Sequence, residues 1–311
     1  MMKILLSGAS SFTGYWFGKT LSAAGHQVTG LYRRGSAADY EGTRARRVSL
    51  FRDFGEQAFD CTFGETRFLE LASSDAWDVY CHHASEVRNY RSSDFDALAA
   101  TRSNTNNLPT VLRTLVDRGC HRIVVTSSIF ERGEGQGSDG LPAISRYGLS
   151  KTLSWEIFLF ECRQLDLHLG KFVIPNPFGP LEEERFTHFL ATAWRRGESA
   201  TCHAPLYVRD NIPVDLLAFE YTRYLESLPV RLSRCHPSGY VETQGQFTER
   251  VAREFRKRTG WKCHLRPTEQ SEFAQPMVRV NSETGLCHHP EWDESAFWDQ
   301  MAAYYSTGSI R

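Results

Sequence analysis

The sequence predicts an α/β protein: a Rossmann-like, doubly wound parallel sheet followed by a smaller C-terminal lobe. Three observations carry this expectation. Short apolar runs alternate with helix-length stretches through the first half, the pattern of βαβ units. The first run leads straight into a small-residue turn and a helix start. After Pro175 the alternation loosens and helical stretches dominate.

The expected strands of the first half are residues 3–7, 27–32, 78–82 and 122–126, and helical stretches cover residues 13–24, 94–118 and 144–165. Pro109 lies inside the second stretch and predicts a kink or break, because proline has no N–H to donate and clashes with the preceding turn. In the second half, residues 182–196, 214–227, 243–259 and 293–305 read as helices with short strands between them. The expected division is residues 1–175 for the sheet domain and 176–311 for the lobe, with some segments of the latter returning to the sheet.

Composition narrows the function classes. The 311 residues include 36 Lys plus Arg and 37 Asp plus Glu, a net charge of −1. No polycationic surface follows, so nucleic acid is not an expected partner. Mean hydropathy is −0.42, and no apolar run approaches the roughly 20 residues that span a bilayer. The apolar start at residues 1–6 is too short for a secretory core, so the cytoplasm is the expected compartment. Eight cysteines are scattered with no C-x-x-C pair, which argues against a disulfide scaffold. Six of them precede a histidine: Cys81, Cys120, Cys202, Cys235, Cys263 and Cys287. Neighbours on a strand point to opposite faces, so such pairs do not chelate one ion readily, and no metal is expected.

The segment Lys3-Ile4-Leu5-Leu6-Ser7-Gly8-Ala9-Ser10-Ser11-Phe12-Thr13-Gly14 is a strand, a turn and a helix start. Small residues let a pyrophosphate approach the backbone, and the first-turn N–H groups around Ser10, Ser11, Phe12, Thr13 and Gly14 would face the anion. Gly8 and Gly14 hold the first and third places of a dinucleotide fingerprint; Ser11 holds the middle place, where glycine is usual. On this segment alone a plain strand–turn–helix remains the alternative. The next strand ends Tyr32-Arg33-Arg34, with no carboxylate for a ribose 2′-hydroxyl. Two arginines suit a 2′-phosphate, so NADP is expected over NAD, the alternative being a solvated basic turn.

Tyr147-Gly148-Leu149-Ser150-Lys151 is the strongest local signal. Spacing i to i+4 puts tyrosine and lysine on one helix face. A nearby ammonium and an oxidised nicotinamide would lower the phenol pKa, so Tyr147 could exchange a proton while the nicotinamide exchanges a hydride. Nineteen residues earlier a strand ends in Thr126-Ser127-Ser128, where a hydroxyl could hold the same substrate oxygen.

With these motifs the chain resembles the extended short-chain dehydrogenase/reductases, in particular the NAD(P)-dependent epimerase/dehydratase family acting on nucleotide sugars. The resemblance covers nearly the whole length. It implies that Gly8 to Gly14 is the family's glycine turn with its middle glycine replaced. Phe59-Asp60-Cys61-Thr62 is similar to the segment that contacts adenine, which makes Asp60 and Cys61 cofactor contacts. His82-His83-Ala84-Ser85 resembles the H-x-A-A segment under the cofactor, and Asn104 stands in the family's asparagine place. Ser128, Tyr147 and Lys151 match the catalytic triad, with Thr126 and Ile174 at the cofactor. Asn176, in Ile174-Pro175-Asn176-Pro177, and Arg209, in Arg209-Asp210-Asn211-Ile212-Pro213-Val214-Asp215, match substrate-binding positions, the arginine at the pyrophosphate. The C-terminal lobe is thereby a substrate-binding lobe.

The resemblance also orders the possible activities. The dehydratases carry an acid two places after the catalytic Ser/Thr. Here that place is Phe130, with Glu131 one further on, so elimination of water is not expected unless the register is off by one. NADP-dependent reduction of a nucleotide-linked 4-keto-6-deoxysugar is the expected activity. The alternatives are a nucleotide-sugar epimerase with tightly held NAD(P), a reductase of a non-sugar ketone and a non-catalytic NADP-binding protein. Helix 144–165 carries Trp155, Ile157, Phe158, Leu159, Phe160 and Leu165, apolar on more than one face. The equivalent helices pair two subunits in the resembled family, so a homodimer is expected.

Overall fold

A computed structural model of the chain describes residues 1–138, 140–228, 231–283, 287 and 289–307. His288, the second half of the last Cys-His pair, lies outside the described residues. The chain begins with β1 (Lys3–Ser7), α1 (Phe12–Ala23), β2 (Gln27–Leu31), α2 (Gly42–Phe51) and β3 (Glu56–Ala58). Next come α3 (Thr66–Ser74), β4 (Val79–His82), α4 (Ala97–Asn104), α5 (Leu108–Asp117) and β5 (Arg122–Ser128). Then follow β6 (Gln136–Gly137), α6 (Arg146–Gln164), β7 (His168–Ile174), β8 (Asn176–Phe178), α7 (Phe186–Arg195) and β9 (Ala200–Thr201). The last elements are β10 (Val208–Pro213), α8 (Val214–Ser227), β11 (Leu232–Cys235), β12 (Tyr240–Thr243), α9 (Gln244–Thr259), β13 (Leu265–Arg266), β14 (Val278–Val280) and α10 (Glu294–Ser306).

These elements form two compact units. The first comprises Met1–Glu134, Pro142–Ile174 and Ala218–Cys235; the second comprises Gly135–Leu141, Pro175–Leu217 and His236–Arg311.

The first unit is built on a seven-stranded sheet in the order β11-β7-β5-β4-β1-β2-β3. Every neighbouring pair is parallel. Strands covered on both faces need apolar side chains both ways, and Ile4, Leu5, Leu6, Val79, Tyr80, Cys81, Ile123 and Val124 are all fully buried. The chain order reverses between β1 and β4. In such sheets the crevice beyond the carboxyl ends of the strands at that point receives ligands.

The break expected at Pro109 is present, and one strand runs longer than the sequence suggested. The stretch 94–118 is two helices, α4 and α5, because Asn107 turns left-handed (φ +55°) and Pro109 sits in the first turn of α5, where a missing N–H costs nothing. Strand β5 runs on to Ser128, because β7 supplies register partners, Ser127 opposite Val173 and Ser128 opposite Ile174. The two serines therefore stand on a strand end.

The second unit holds a mixed sheet in the order β12-β10-β14-β6, with β8 paired to β10, and a two-stranded pair of β9 with β13. Its core is aromatic: Phe178, Trp194, Phe247, Phe255, Phe297, Trp298 and Tyr305 are buried together with Leu190 and Met301. Helix α7 starts four residues later than its pattern suggested. Leu181 is left-handed (φ +68°), and the Glu182 N–H donates to Gly179 O. Among the described residues, no helix is long and apolar enough to cross a membrane.

Candidate active site

The turn after β1 is held by backbone geometry that only glycine tolerates. Gly8 has φ +74°, and a Cβ there would stand 2.8 Å from the Ala84 nitrogen. A Cβ on Gly14 would stand 2.3 Å from Gly8 O. Between them Ser11 N–H donates to Gly8 O, and Ser11 caps α1, its Oγ accepting from Gly14 N–H at 3.0 Å. The serine in the middle place is thus an N-cap, a role glycine fills less well. Phe12, Thr13 and Gly14 are buried in the first turn. Arg47 of α2, fully buried, donates its Nε to Ser10 O at 3.0 Å. It ties the turn down from behind, and nothing in its sequence context marked it.

His83 sits against this turn. Its Nε2 is 3.0 Å from both Ser11 Oγ and Thr13 Oγ1. Burial, then the Lys151 charge, pushes its pKa down to about 3, so it acts as a neutral imidazole. Ser7 Oγ accepts from the N–H groups of His83 and Ala84. Asn104 accepts from Glu86 N–H through Oδ1 and donates to Ser154 Oγ through Nδ2. The H-H-A-S segment is therefore pinned to both β1 and α6.

The end of β2 is arranged as follows. Tyr32 is buried and stacks on Phe59, with centroids 5.0 Å apart. Arg33 is largely exposed, with one Nη 3.5 Å from the Glu86 carboxylate. Arg34 lies 5.7 Å from the centre of the Tyr40 ring. Asp60 is exposed with a left-handed backbone (φ +55°), its N–H donating to Arg34 O, while Cys61 N–H donates to Tyr32 O. Burial pushes the Cys61 thiol up to about 11, so it stays an unreactive thiol. Glu86 is the acidic neighbour that the sequence reading missed; it lies 53 positions from Arg33.

The candidates Ser128, Tyr147 and Lys151 lie at the end of β5 and in the first turns of α6. Lys151 is buried, and its Nζ donates to Thr126 O at 2.6 Å. Burial lowers its pKa, Glu131 raises it and Lys171 lowers it again. Ser128 is half-buried, its Oγ accepting from Phe130 N–H at 3.2 Å. Tyr147 is half-buried with its ring 5.4 Å from Tyr90 and 6.1 Å from Phe95, both edge-on. Gly148, silent in the Y-x-x-x-K pattern, sets the approach of helix to strand end. A Cβ there would stand 2.1 Å from Phe130 O, and Ile144 N–H donates to the same oxygen. Ser145 caps the helix, accepting from Gly148 N–H at 3.1 Å. Ile174 ends β7, its carbonyl accepting from Ile129 N–H.

Asn176 and Arg209 belong to the second unit. Asn176 Nδ2 donates to Asp210 O. Arg209 is buried over the Tyr207 ring, 4.3 Å from its centroid. Its Nη groups donate to the carbonyls of Val208, Pro276 and Met277 and to Gln275 Oε1. The guanidinium ties residues 275–277 to β10.

The first unit fits a dinucleotide. Two glycines keep side chains out of the turn, a capped helix directs its positive end there, and the buried Ser85 Oγ and His83 Nδ1 find no hydrogen-bond partner in the protein. Among the described residues, no group of three or more His, Cys, Asp or Glu is placed to hold a metal ion.

No curated protein matches the chain. Solved structures match over its whole length. A UDP-glucose 4-epimerase from Stenotrophomonas maltophila, with bound NAD and formylated UDP-arabinopyranose, has a TM-score of 0.75 at 16% identity and covers 99% of each chain. A dTDP-glucose 4,6-dehydratase from Streptomyces venezuelae, with NAD bound, has a TM-score of 0.74 at 18% identity and covers both chains completely. A UDP-glucuronic acid 4-epimerase from Bacillus cereus, in complex with UDP-glucuronic acid and NAD, has a TM-score of 0.72 at 16% identity, covering 98% of this chain and 99% of that one. At such identities the likeness is one of fold. The model of the NAD dependent epimerase/dehydratase family matches residues 4–211, the span that holds the glycine turn, Ser128, Tyr147, Lys151, Asn176 and Arg209, and the chain belongs to that family.

Proposed function

We propose that the protein is an NADP(H)-dependent reductase of a nucleotide-linked 4-keto-6-deoxysugar. The observation that carries the reading is buried Lys151, its Nζ on Thr126 O, together with the close approach of Gly148, the neighbour of Tyr147, to Phe130 O, two residues past Ser128, in the unit that also holds the glycine turn. Arg33 and Arg34, with no acid in the place of Tyr32, support the phosphorylated cofactor. A bound nicotinamide would supply the hydride. Ser128 Oγ orients the carbonyl oxygen of the sugar, and Tyr147 delivers its phenolic proton to that oxygen, leaving a phenolate that Lys151 stabilises by charge. Asn176 and Arg209 are the substrate-side residues of the reading, and Asp60, Cys61, His83, Ala84, Ser85, Asn104 and Ile174 the cofactor-side ones.

Elimination of water is disfavoured here. Glu131 is fully buried, with one oxygen on the Ser127 hydroxyl and Ser128 N–H and the other on Lys171. One observation favours the epimerase reading instead: Glu86 pairs with Arg33 and offsets half of the positive charge offered to a 2′-phosphate. The exposed apolar residues of α4 and α6, Leu98, Ile157 and Phe160, support a homodimer through these helices.

The test is steady-state kinetics with a panel of nucleotide 4-ketosugars. General acid catalysis is worth about 10²–10⁴ in rate, so Tyr147→Phe should slow NADPH-dependent reduction by that factor and leave NADP affinity unchanged. Turnover at the parent rate would remove Tyr147 from the mechanism. Interconversion of two nucleotide sugars without net NADPH consumption would decide for the epimerase.

A further inference from the structure

Beneath the catalytic strand end lies a cluster of buried charges. Glu131, Lys171 and Glu134 have side chains 1–2% exposed. Lys171 Nζ is 2.8 Å from Glu131 Oε2 and 2.6 Å from Glu134 Oε1, and it stands 4.7 Å from the centre of the Trp155 ring. Glu131 spends its other oxygen on the strand end. Its Oε1 accepts from Ser127 Oγ at 2.5 Å and from Ser128 N–H at 2.9 Å. Glu134 is different: its second partner is the half-exposed Arg234, at 3.4 Å.

Taking an ion triad out of water is unfavourable, and apolar residues of similar volume often serve stability as well or better. The arrangement calls for a reason beyond packing. We propose that Glu131, anchored by Lys171, is a positioning residue of the catalytic centre: it clamps the Ser127-Ser128 strand end and supplies the countercharge for Lys151. The proposal rests on the assignment of Ser128 and Lys151 to the active site.

Lys151 has few other groups to balance it. Its Nζ donates to a neutral carbonyl, Thr126 O. His82 and His83, which face it from β4 and the segment after it, are both driven neutral by burial and by the Lys151 charge itself. Lys171, from β7, adds a like charge, and Tyr147 lies on the same helix as Lys151. Lys151 Nζ on Thr126 O and Glu131 Oε1 on the Ser127 hydroxyl and Ser128 N–H hold consecutive residues of one strand end, and the Glu131 charge favours the ammonium of Lys151. Without it, Lys151 would face desolvation and Lys171 uncompensated, and would surrender its proton at lower pH.

The test needs no substrate. The chain has six lysines, at positions 3, 19, 151, 171, 257 and 262, few enough for each to be followed by NMR of lysine labelled with ¹³C at Cε. Titration of the parent, Glu131→Gln and Glu134→Gln would give the Lys151 midpoint in each, with assignment by Lys151→Arg. The expected result is a Lys151 midpoint lowered by roughly one pH unit or more in Glu131→Gln, and by less than half as much in Glu134→Gln. Equal shifts in the two variants, or none in either, would overturn the proposal. Should Glu131→Gln not fold, Glu131→Gln combined with Lys171→Met removes the pair as a unit and is titrated instead; loss of Lys171 acts in the opposite direction, so a smaller lowering of the midpoint is expected, and no lowering would overturn the proposal. Failure of both to fold would show a stability element and would also overturn it. A shifted Lys151 in a protein whose Tyr147→Phe variant reduces ketosugars at the parent rate would leave the countercharge standing and remove the catalytic assignment.

Discussion

Glu182 gives the sharpest stability prediction. It is buried at 2% exposure in the second unit. Its Oε1 accepts from Thr187 Oγ1 at 2.5 Å and from the Tyr305 hydroxyl of α10 at 2.7 Å. Burial outweighs these two hydrogen bonds and pushes the carboxyl up to about 7, from an ordinary value near 4.5. The sign follows from proton linkage. Between these values the folded chain holds a proton that the unfolded chain has lost, so stability falls as pH rises. Below the lower value both states are protonated and nothing is lost; above the upper one the full penalty applies. Roughly two and a half decades of proton affinity at about 1.4 kcal/mol each give about 3 kcal/mol. Glu182→Gln keeps an acceptor for Thr187 and Tyr305 and cannot ionise. Its amide nitrogen enters a buried place with no partner, at a pH-independent cost of about 1–3 kcal/mol. Urea unfolding followed by tryptophan fluorescence at intervals from pH 5 to 8 would measure both proteins. The parent-minus-variant stability should decline by about 2.5 kcal/mol across that range, part of the penalty already applying at pH 5, the variant being the less stable at pH 5 and losing that deficit by pH 8. Asp210, raised by burial, and His82 and His83, lowered by burial, titrate in both proteins and cancel in the difference. A difference that stays flat with pH would refute the reasoning.

Three further outcomes can be checked. Arg34→Ala should weaken NADP binding by about tenfold or more, the worth of one charge-assisted hydrogen bond, and leave NAD binding unchanged; isothermal titration with each cofactor measures this, and Arg33→Ala should lose less because Glu86 already engages that arginine. Gly148→Ala should force helix α6 away from Phe130 O, which a Cβ would approach to 2.1 Å. An ångström of misplacement between Tyr147 and Ser128 costs about a hundredfold in rate, so turnover should drop by that order with NADP affinity retained. Light scattering at micromolar concentration should give twice the 35.5 kDa chain mass; the monomer mass would refute the homodimer.

Most of the first unit was legible in the chain. Parallel strands buried on both faces are short apolar runs, and glycine leaves its mark wherever backbone must approach backbone, so β1, β2, β4 and the turn Gly8 to Gly14 could be read as they stand. The first and last of the helices expected in the first half came through to within a few residues, because the caps Ser11 and Ser145 lie next to the elements they start, whereas α2 and α3 were not among the expected helices. The Tyr147–Lys151 pair was readable because i to i+4 is a local spacing. What the sequence could not reveal was every relation between residues distant in the chain. Arg47 behind the glycine turn, Glu86 on Arg33, the oxygen that Gly148 meets and the Pro276 and Met277 carbonyls that engage Arg209 are contacts across 18 to 68 positions. The fate of Glu131 shows the difference most clearly. In sequence it stood one place from an acid expected of a dehydratase, and its identity alone left open whether it faced a substrate. Tertiary structure decided it, because a buried carboxylate must find donors and a countercharge. Those came from its own strand end, four residues back, and from Lys171, forty residues ahead on the neighbouring strand. Local spacing marked the candidate residues Tyr147 and Lys151; the pairing of buried charges across the sheet determined which groups Glu131 meets, because a carboxylate taken out of water needs donors and a cation, and the cation comes from a distant strand.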